Sequence, residues 1–190
     1  MAKIVAIVEG DGEVEAVPLL IRRIGAEVSP LVPLDVPRPI RVRRHRIVKE
    51  GELERYVALA AARAGDGGRI VILLDANGDC PAELAPIILS RACATRPGLR
   101  VEVVLAKCEY EAWFISAVES IAGTRGIHPD LSAPQEPESI RGAKEWLRMR
   151  GSYRPTADQA ALTARLDMTL ARERSPSFDK MWRATSALLR

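Results

Sequence analysis

The sequence predicts an α/β fold in which helices cover both faces of a mainly parallel sheet. Three short apolar runs rich in β-branched residues, over residues 3–8, 70–74 and 100–106, indicate buried strands. Segments with helical spacing of apolar residues separate these runs, and such alternation favours a parallel sheet. We therefore expect an α/β core over residues 1–123 and, because no strand candidate follows, a helical appendage over residues 124–190 that packs on the core or binds a partner.

The remaining elements follow from local patterns along the chain. Apolar residues recur with helical spacing over residues 14–24, and Gly25 supplies a stop signal. Several prolines predict an extended connection over residues 29–39, and the basic run over residues 40–49 fits an edge strand or a basic loop. Further helices are predicted over residues 52–64, 81–94, 111–122, 137–150, 156–174 and 177–189.

The composition limits the classes of protein to which the chain can belong. Of its 190 residues, 47% are hydrophobic, which is enough for one domain with a core. The net charge of +3 does not by itself indicate nucleic-acid binding, so that evidence must come from local clusters. Three cysteines without C-x-x-C spacing, no signal peptide and no apolar run of membrane-spanning length predict a cytoplasmic protein without a membrane segment.

Acidic residues follow each predicted strand at the point where the strand ends. Because the carboxyl ends of parallel strands meet at one edge of a sheet, these side chains are expected to converge. Oxygen ligands without histidine or cysteine indicate Mg²⁺ or Mn²⁺. The neighbouring Lys107 could pair with a phosphate or balance the carboxylates. The predicted metal ligands are Glu9 and Glu13 after the first strand, Asp75, Asn77 and Asp79 after the second, and Glu109 and Glu111 after the third.

The sequence disfavours two other uses of these turns. The Gly-Asp-Gly turn over residues 10–12 resembles the start of a dinucleotide-binding loop, but Glu15 occupies the third glycine position and the acidic turn would repel a pyrophosphate. The turn from Asp75 resembles the start of an EF-hand loop, but Cys80 and Pro86 stand where glycine and glutamate are needed. A structural role remains open, because acidic residues also stabilise helix N-termini and turns.

A basic cluster follows the proline-rich connection. Its side chains could neutralise the phosphates of a nucleic acid, which would make binding depend on salt. A solvated edge strand is the alternative, because basic residues discourage edge-to-edge association of sheets. The predicted nucleic-acid-binding residues are Arg41, Arg43, Arg44, Arg46 and Lys49.

Four short motifs are spread over nearly the whole chain. They are Val8-Glu9-Gly10 with Glu13, Leu74-Asp75 with Asp79-Cys80-Pro81, Glu109-Tyr110-Glu111-Ala112-Trp113, and Ser175-Pro176-Ser177-Phe178. Together they resemble an uncharacterised TOPRIM-like family whose members are often encoded beside AAA-type ATPases in bacteria. That family is related to the TOPRIM domain of OLD-type nucleases, topoisomerases and primases. The resemblance implies a TOPRIM-like version of the predicted parallel sheet.

The resemblance also implies roles for individual residues. It makes Glu9 the general base or acid, or a metal ligand, and it makes Asp75 the first metal-binding aspartate. Asn77 stands where the TOPRIM pattern has a second aspartate, so Asp79 would have to supply the missing charge. A tyrosine nucleophile is not indicated, and hydrolysis assisted by metal ions needs none.

The function implied by the resemblance is Mg²⁺-dependent cleavage of DNA or RNA by a TOPRIM-type nuclease. Glu9, Asp75 and Lys107 are the predicted catalytic residues, and Glu13 and Glu111 match acidic positions that OLD-like nucleases use around a second metal. An AAA-type ATPase partner in phage defence follows from the resemblance alone. Two alternatives stay open: a non-catalytic TOPRIM-like binding or regulatory module, and a metal-dependent phosphatase or nucleotide hydrolase. A homo-oligomer is also left open.

Overall fold

The computed structural model describes residues 1–190 and contains one parallel sheet. The strand order is β2-β1-β4-β5, with β3 pairing with β1 as well, and every pairing is parallel. The predicted α/β class with a parallel sheet is therefore confirmed. The strands are β1 (Ala2–Val8), β2 (Leu34–Asp35), β3 (Ile40–Arg41), β4 (Arg69–Asp75) and β5 (Arg100–Ala106).

Two very short strands share one edge of β1. The strand β2 pairs with the start of β1 through Ala2 and Leu34, whereas β3 pairs with its end through Ile7 and Ile40. Prolines lie between these two pairings, and proline has no N–H to donate to a sheet. The edge is therefore paired at its two ends by separate short strands rather than by one long strand.

Helices cover both faces of the sheet. No helix combines the length and the apolar character that crossing a bilayer requires. The helices are α1 (Glu13–Val28), α2 (Arg44–Ile47), α3 (Glu52–Ala64), α4 (Pro81–Thr95), α5 (Glu111–Ser116), α6 (Ala143–Met149), α7 (Pro155–Arg165), α8 (Met168–Arg174) and α9 (Pro176–Leu189).

Five predicted boundaries are wrong, and one of them is the helix over residues 137–150, which is a 3-10 turn (Pro137–Ser139) followed after a break by α6. Helix α1 does not stop at Gly25 but continues to Val28, and the glycine instead allows Leu34 of β2 to approach closely, since a Cβ added there would lie 2.7 Å from Leu34 Cδ2. The basic run is neither a strand nor a loop throughout, since it divides into β3 and the single-turn helix α2. Helix α5 ends at Ser116, and a 3-10 turn follows it. The predicted helix over residues 156–174 is two helices, because Asp167 caps α8 by accepting a hydrogen bond from the Leu170 N–H.

The two faces of the sheet carry cores of different size. Thirty-six buried residues on one face join the sheet to α1, α5 and the C-terminal helices. Among them, the ring centroids of Trp113 in α5 and Phe178 in α9 are 5.4 Å apart. The other face buries 19 residues under α3 and α4. Of the helices after residue 123, α9 packs directly on β4 and β5, whereas α7 packs on α1 and both α6 and α8 pack on α5. Together they complete the larger core.

Candidate functional site

The carboxyl ends of β1 and β4, together with the start of α5, open into one polar cleft of about 730 Å³. Acidic side chains lie next to arginines in this cleft, and the N-terminal turn of α7 forms one of its walls. The acidic lining residues are Glu9, Asp11, Glu13, Asp75, Asp79 and Glu111, the arginines are Arg41, Arg43 and Arg44, and the α7 residues are Pro155, Thr156 and Gln159.

A lysine that no sequence motif indicates lies among the carboxylates. The Lys144 Nζ atom is 3.2 Å from Asp75 Oδ2, 3.1 Å from Glu111 Oε2 and 3.5 Å from Glu109 Oε1. The backbone N–H of Lys144 also donates to Glu109 Oε2 at 3.0 Å, which fixes the start of α6 beside the cluster. One ammonium group therefore bridges acids that follow two different strands.

Buried hydrogen bonds orient two of these carboxylates. The backbone N–H of Tyr110 donates to Asp75 Oδ1 at 2.8 Å, and the Tyr153 hydroxyl donates to Glu111 Oε1 at 2.8 Å. Glu111 has no exposed surface, and Asp75 is 8% exposed. Both carboxylates are thus held in fixed orientations below the opening of the cleft.

Burial dominates the electrostatics of this cluster. It raises the pKa of both Asp75 and Glu111, although the Lys144 ammonium acts in the opposite direction. Burial alone would lower the pKa of Lys144, but the carboxylates of Asp75, Glu111 and Glu109 raise it overall. A single ammonium therefore does not compensate the cost of burying these acids.

The turn after β1 is organised around Glu13. This side chain is 3% exposed, and its Oε2 accepts a hydrogen bond from the Glu9 N–H at 3.0 Å. Burial, followed by repulsion from the Asp75 carboxylate, raises the pKa of Glu13 to about 8. Partial burial and Asp75 also raise the pKa of Glu9. Glu13 is therefore a buried acid beneath the turn, and Glu9 faces the cleft above it.

The same turn approaches α7 so closely that only glycine fits at residue 12. A Cβ on Gly12 would lie 1.9 Å from Gln159 Oε1 and 2.8 Å from the Pro155 carbonyl oxygen. Distances this short require the backbone of one segment to move. Gly12 thus allows the acidic turn to sit against the C-terminal helices.

The predicted basic residues have different environments. Arg44 is half-buried, pairs with Asp79, donates to the Asp75 carbonyl oxygen and lies 4.0 Å from Glu9. Arg41 pairs with the exposed Asp11 at 2.7 Å. Arg43 lines the cleft, is exposed and forms no ion pair. Arg44 therefore stabilises the acidic turns, whereas Arg43 is available to a ligand.

Five predicted site residues do not line the cleft, and one of them, Glu109, is connected to it only through Lys144. Lys107 is exposed beside a separate groove, and its backbone N–H donates to Ser177 Oγ, so Lys144 rather than Lys107 balances the carboxylates. Asn77 is exposed in a left-handed conformation with φ 52°. Arg46 donates to the Tyr56 hydroxyl at 3.2 Å, and Lys49 points to solvent outside the cleft.

The suitability of the cluster for a metal ion depends on Lys144. No three histidine, cysteine, aspartate or glutamate side chains are arranged to hold a metal ion as the cluster stands. However, Glu9 Oε2 is buried without a hydrogen-bond donor, and Glu111 Oε2 lies close to Lys144 Nζ without forming a hydrogen bond. Hard oxygens that lack donors are suitable ligands for Mg²⁺ or Mn²⁺. The residues present therefore fit a divalent cation once the ammonium leaves.

Comparison with protein families gives one match. Residues 8–184 match the model of a domain of unknown function, DUF4276, and this match carries no link to the TOPRIM domain. Searches among curated proteins and among solved structures find no similar protein. The matched segment contains the whole acidic cluster and all of the arginines described above. Because it also covers far more than half of the chain, the protein belongs to the DUF4276 family.

Proposed function

We propose that the protein is a metal-dependent nuclease that hydrolyses phosphodiester bonds of DNA or RNA in the polar cleft. The observation that supports this best is the meeting of Glu9, Asp75 and Glu111, which follow three different strands, beside exposed arginines. Crowded buried carboxylates repel one another, and a cation removes that repulsion. The TOPRIM resemblance of the sequence is the second support.

The arginines give the cleft a way to hold a polynucleotide. Arg43 carries no ion pair, and Arg41 is paired only with the exposed Asp11, so both can exchange solvent or a surface partner for a phosphate. Arginine binds phosphate through two parallel N–H groups. We expect binding to weaken as salt is added, because each contact releases counterions from the nucleic acid.

The carboxylates supply the catalytic part of the proposal. Asp75, Glu111 and Glu9 would hold Mg²⁺ or Mn²⁺, with Glu109 and Glu13 next to them. A bound divalent ion of this kind neutralises a phosphate and lowers the pKa of a bound water. If Glu9 acts instead as the general base, the partial burial and the Asp75 carboxylate that raise its pKa favour the uptake of a proton from water.

Cleavage of plasmid and of single-stranded DNA and RNA, with Mg²⁺ or Mn²⁺ present, tests the proposal. Glu9→Gln and Asp75→Asn remove one charge each with little change of shape, and we expect both to reduce cleavage at least about 100-fold. Asp66→Asn, at a fully exposed aspartate outside the cleft, is the matched control and should cleave like wild type. Equal cleavage by all four proteins would reject the assigned site.

A small phosphoester assayed in parallel separates nuclease activity from the phosphatase and nucleotide-hydrolase alternatives. A nuclease needs contacts with phosphates on either side of the scissile bond, so it should turn over polynucleotides and leave the small ester intact. The reverse preference would indicate a phosphatase or a nucleotide hydrolase acting in the same cleft.

A non-catalytic binding module is the second candidate, and Lys144 is the observation that favours it. The ammonium stands between Asp75, Glu111 and Glu109, where it can substitute for a metal ion permanently. An AAA-type ATPase partner and a role in phage defence belong to either candidate and are supported only by the TOPRIM resemblance. No Mn²⁺ binding by calorimetry, together with co-purification of an ATPase, would favour the module over the nuclease.

A further inference from the structure

Lys144 lines the cleft and contacts every acid of the carboxylate cluster formed by Asp75, Glu109 and Glu111. Its Nζ lies within 3.5 Å of oxygens from Asp75, Glu109 and Glu111, and two of these acids are almost completely buried. The lysine side chain is itself 35% exposed and lines the cleft. It can therefore swing into solvent by rotation about its own bonds, whereas the carboxylates that it contacts are held by the fold.

The ammonium and a divalent cation would compete for the same oxygens. Asp75 Oδ2 faces Lys144, because its other oxygen already accepts the Tyr110 N–H. Glu111 Oε2 likewise faces Lys144, because its other oxygen accepts the Tyr153 hydroxyl. Each acid thus has one oxygen left for a cation, and that oxygen points to Nζ. Two cations at this distance would also repel each other strongly.

We propose that Lys144 is an internal counter-ion that occupies the carboxylate cluster and must leave it before a divalent cation can bind. This inference rests on the proposed function only in taking Mg²⁺ or Mn²⁺ as the ligand. In the free protein the tethered ammonium offsets part of the repulsion among Asp75, Glu109 and Glu111. Binding of the metal and release of Lys144 into solvent are then coupled, because each requires the other.

Calorimetry with Mn²⁺ alone measures the competition without any substrate. If the state with Lys144 outside the cluster has a population of about 1–10%, the apparent affinity of the wild type is about 10- to 100-fold below that of a protein without the ammonium. Lys144→Met should show that gain, and Lys144→Arg should not, because it keeps the charge. Lys180→Met removes a lysine that is ion-paired outside the cleft and should bind Mn²⁺ like wild type.

Chemical acetylation of the wild type measures the exposure of Lys144 without the need for a folded variant. Mass spectrometry should find Lys144 acetylated faster in Mn²⁺ than in EDTA, because the ion pairs protect it until the metal displaces it. Acetylation of Lys180, which pairs with Glu102 at 2.8 Å, should be unaffected by Mn²⁺. An unchanged or slower reaction at Lys144 would overturn the proposal.

The outcomes separate this inference from the proposed function. Equal Mn²⁺ affinity of wild type and Lys144→Met, together with Mn²⁺-dependent cleavage, would overturn the counter-ion role and leave the nuclease in place. A gain in affinity without cleavage of any polynucleotide would support the counter-ion role and reject the nuclease. Absence of Mn²⁺ binding by both proteins would overturn the inference, since no exchange would then take place.

Discussion

The acidic turns after β1 and β4 have similar sequences but are built in different ways. In the β1 turn the last acid, Glu13, is buried and accepts a hydrogen bond from the Glu9 N–H, so a buried side chain holds the turn in place. In the β4 turn the first acid, Asp75, is buried, and the last, Asp79, is exposed and paired with Arg44. Each turn contributes the acid at its strand end, Glu9 or Asp75, to the cleft. Of the other acids, Glu13 is buried and accepts a hydrogen bond inside its turn, whereas Asp79 forms an ion pair at the surface.

This difference shows that an acidic residue in such a turn cannot be assigned from its type alone. Glu13 and Asp79 were both predicted metal ligands, yet one lies beneath the turn and the other at its surface. Packing decides between these positions, because α7 closes over the β1 turn and leaves the β4 turn open to solvent.

The largest expected effect is a pH dependence that arises from the β1 turn. The pKa of Glu13 is about 8 in the folded protein, above its ordinary value of 4.5, so the folded state retains a proton that the unfolded chain releases. Stability should therefore fall as the pH rises from about 4.5 to about 8. At about 1.4 kcal/mol per pKa unit, the free energy of unfolding should decrease by up to about 5 kcal/mol over this window.

Urea denaturation in EDTA at several pH values measures this decrease. Glu13→Gln keeps an oxygen that can accept the Glu9 N–H and removes the titration, so it should make the pH profile clearly flatter. Some slope should remain, because burial also raises the pKa values of Glu9, Asp75 and Glu111. Glu15→Gln, at an exposed residue of the same helix, should keep the wild-type profile. A profile unaltered by Glu13→Gln would contradict the buried position of this acid.

The next largest expected effect is a loss of stability when a glycine of the β1 turn, but not of the β4 turn, is replaced by alanine. Gly12→Ala forces a Cβ against Gln159 and the Pro155 backbone, so it should destabilise the protein by about 2 kcal/mol. Gly78→Ala meets no atom within 4 Å and has no positive φ, so its effect should stay within about 0.5 kcal/mol. Urea midpoints of the two variants compare them directly. Equal losses would mean that α7 does not close over the β1 turn.

Local patterns predict the parts of this molecule that local forces determine. The strands over residues 70–74 and 100–106 and the helix over residues 52–64 are found within a residue of their predicted ends, because buried strands are continuous apolar runs and Gly65 ends the helix. The meeting of Glu9, Asp75 and Glu111 in one region also follows, since parallel strands end at the same edge of the sheet.

Long-range packing determines what the sequence patterns missed. Lys144 is 69 residues from Asp75, and nothing in its own neighbourhood indicates that α6 will point it into the cluster. Gly25 has the local character of a helix stop, yet it lies inside α1, where the absence of a Cβ admits Leu34 of β2. Lys107 is two residues from Glu109 in sequence but faces another groove. In the first two cases the contact that matters comes from another element of the fold.

Substitutions of Arg44 and Arg43 should distinguish an arginine that stabilises the fold from one that binds a nucleic acid. Arg44→Ala removes the donor to the Asp75 carbonyl and the partner of Asp79, so it should cost about 1–2 kcal/mol. Arg43→Ala removes no ion pair and should cost no more than about 0.5 kcal/mol. Fluorescence anisotropy with a labelled oligonucleotide should nevertheless show weaker binding and a smaller salt dependence for Arg43→Ala. Normal binding by this variant would remove Arg43 from the proposed interface.

The smallest expected effect concerns Asn77, the residue that stands where the TOPRIM pattern has an aspartate. Asn77 is exposed, lies outside the cleft and has φ 52°, a conformation that glycine adopts without strain. Asn77→Gly should therefore change the free energy of unfolding by no more than about 0.5 kcal/mol, while Asn77→Ala should lose about 1 kcal/mol from backbone strain. Neither variant should alter Mn²⁺ affinity in calorimetry. A tenfold loss of Mn²⁺ affinity in Asn77→Gly would show instead that the β4 turn reorganises to bring this side chain to the metal.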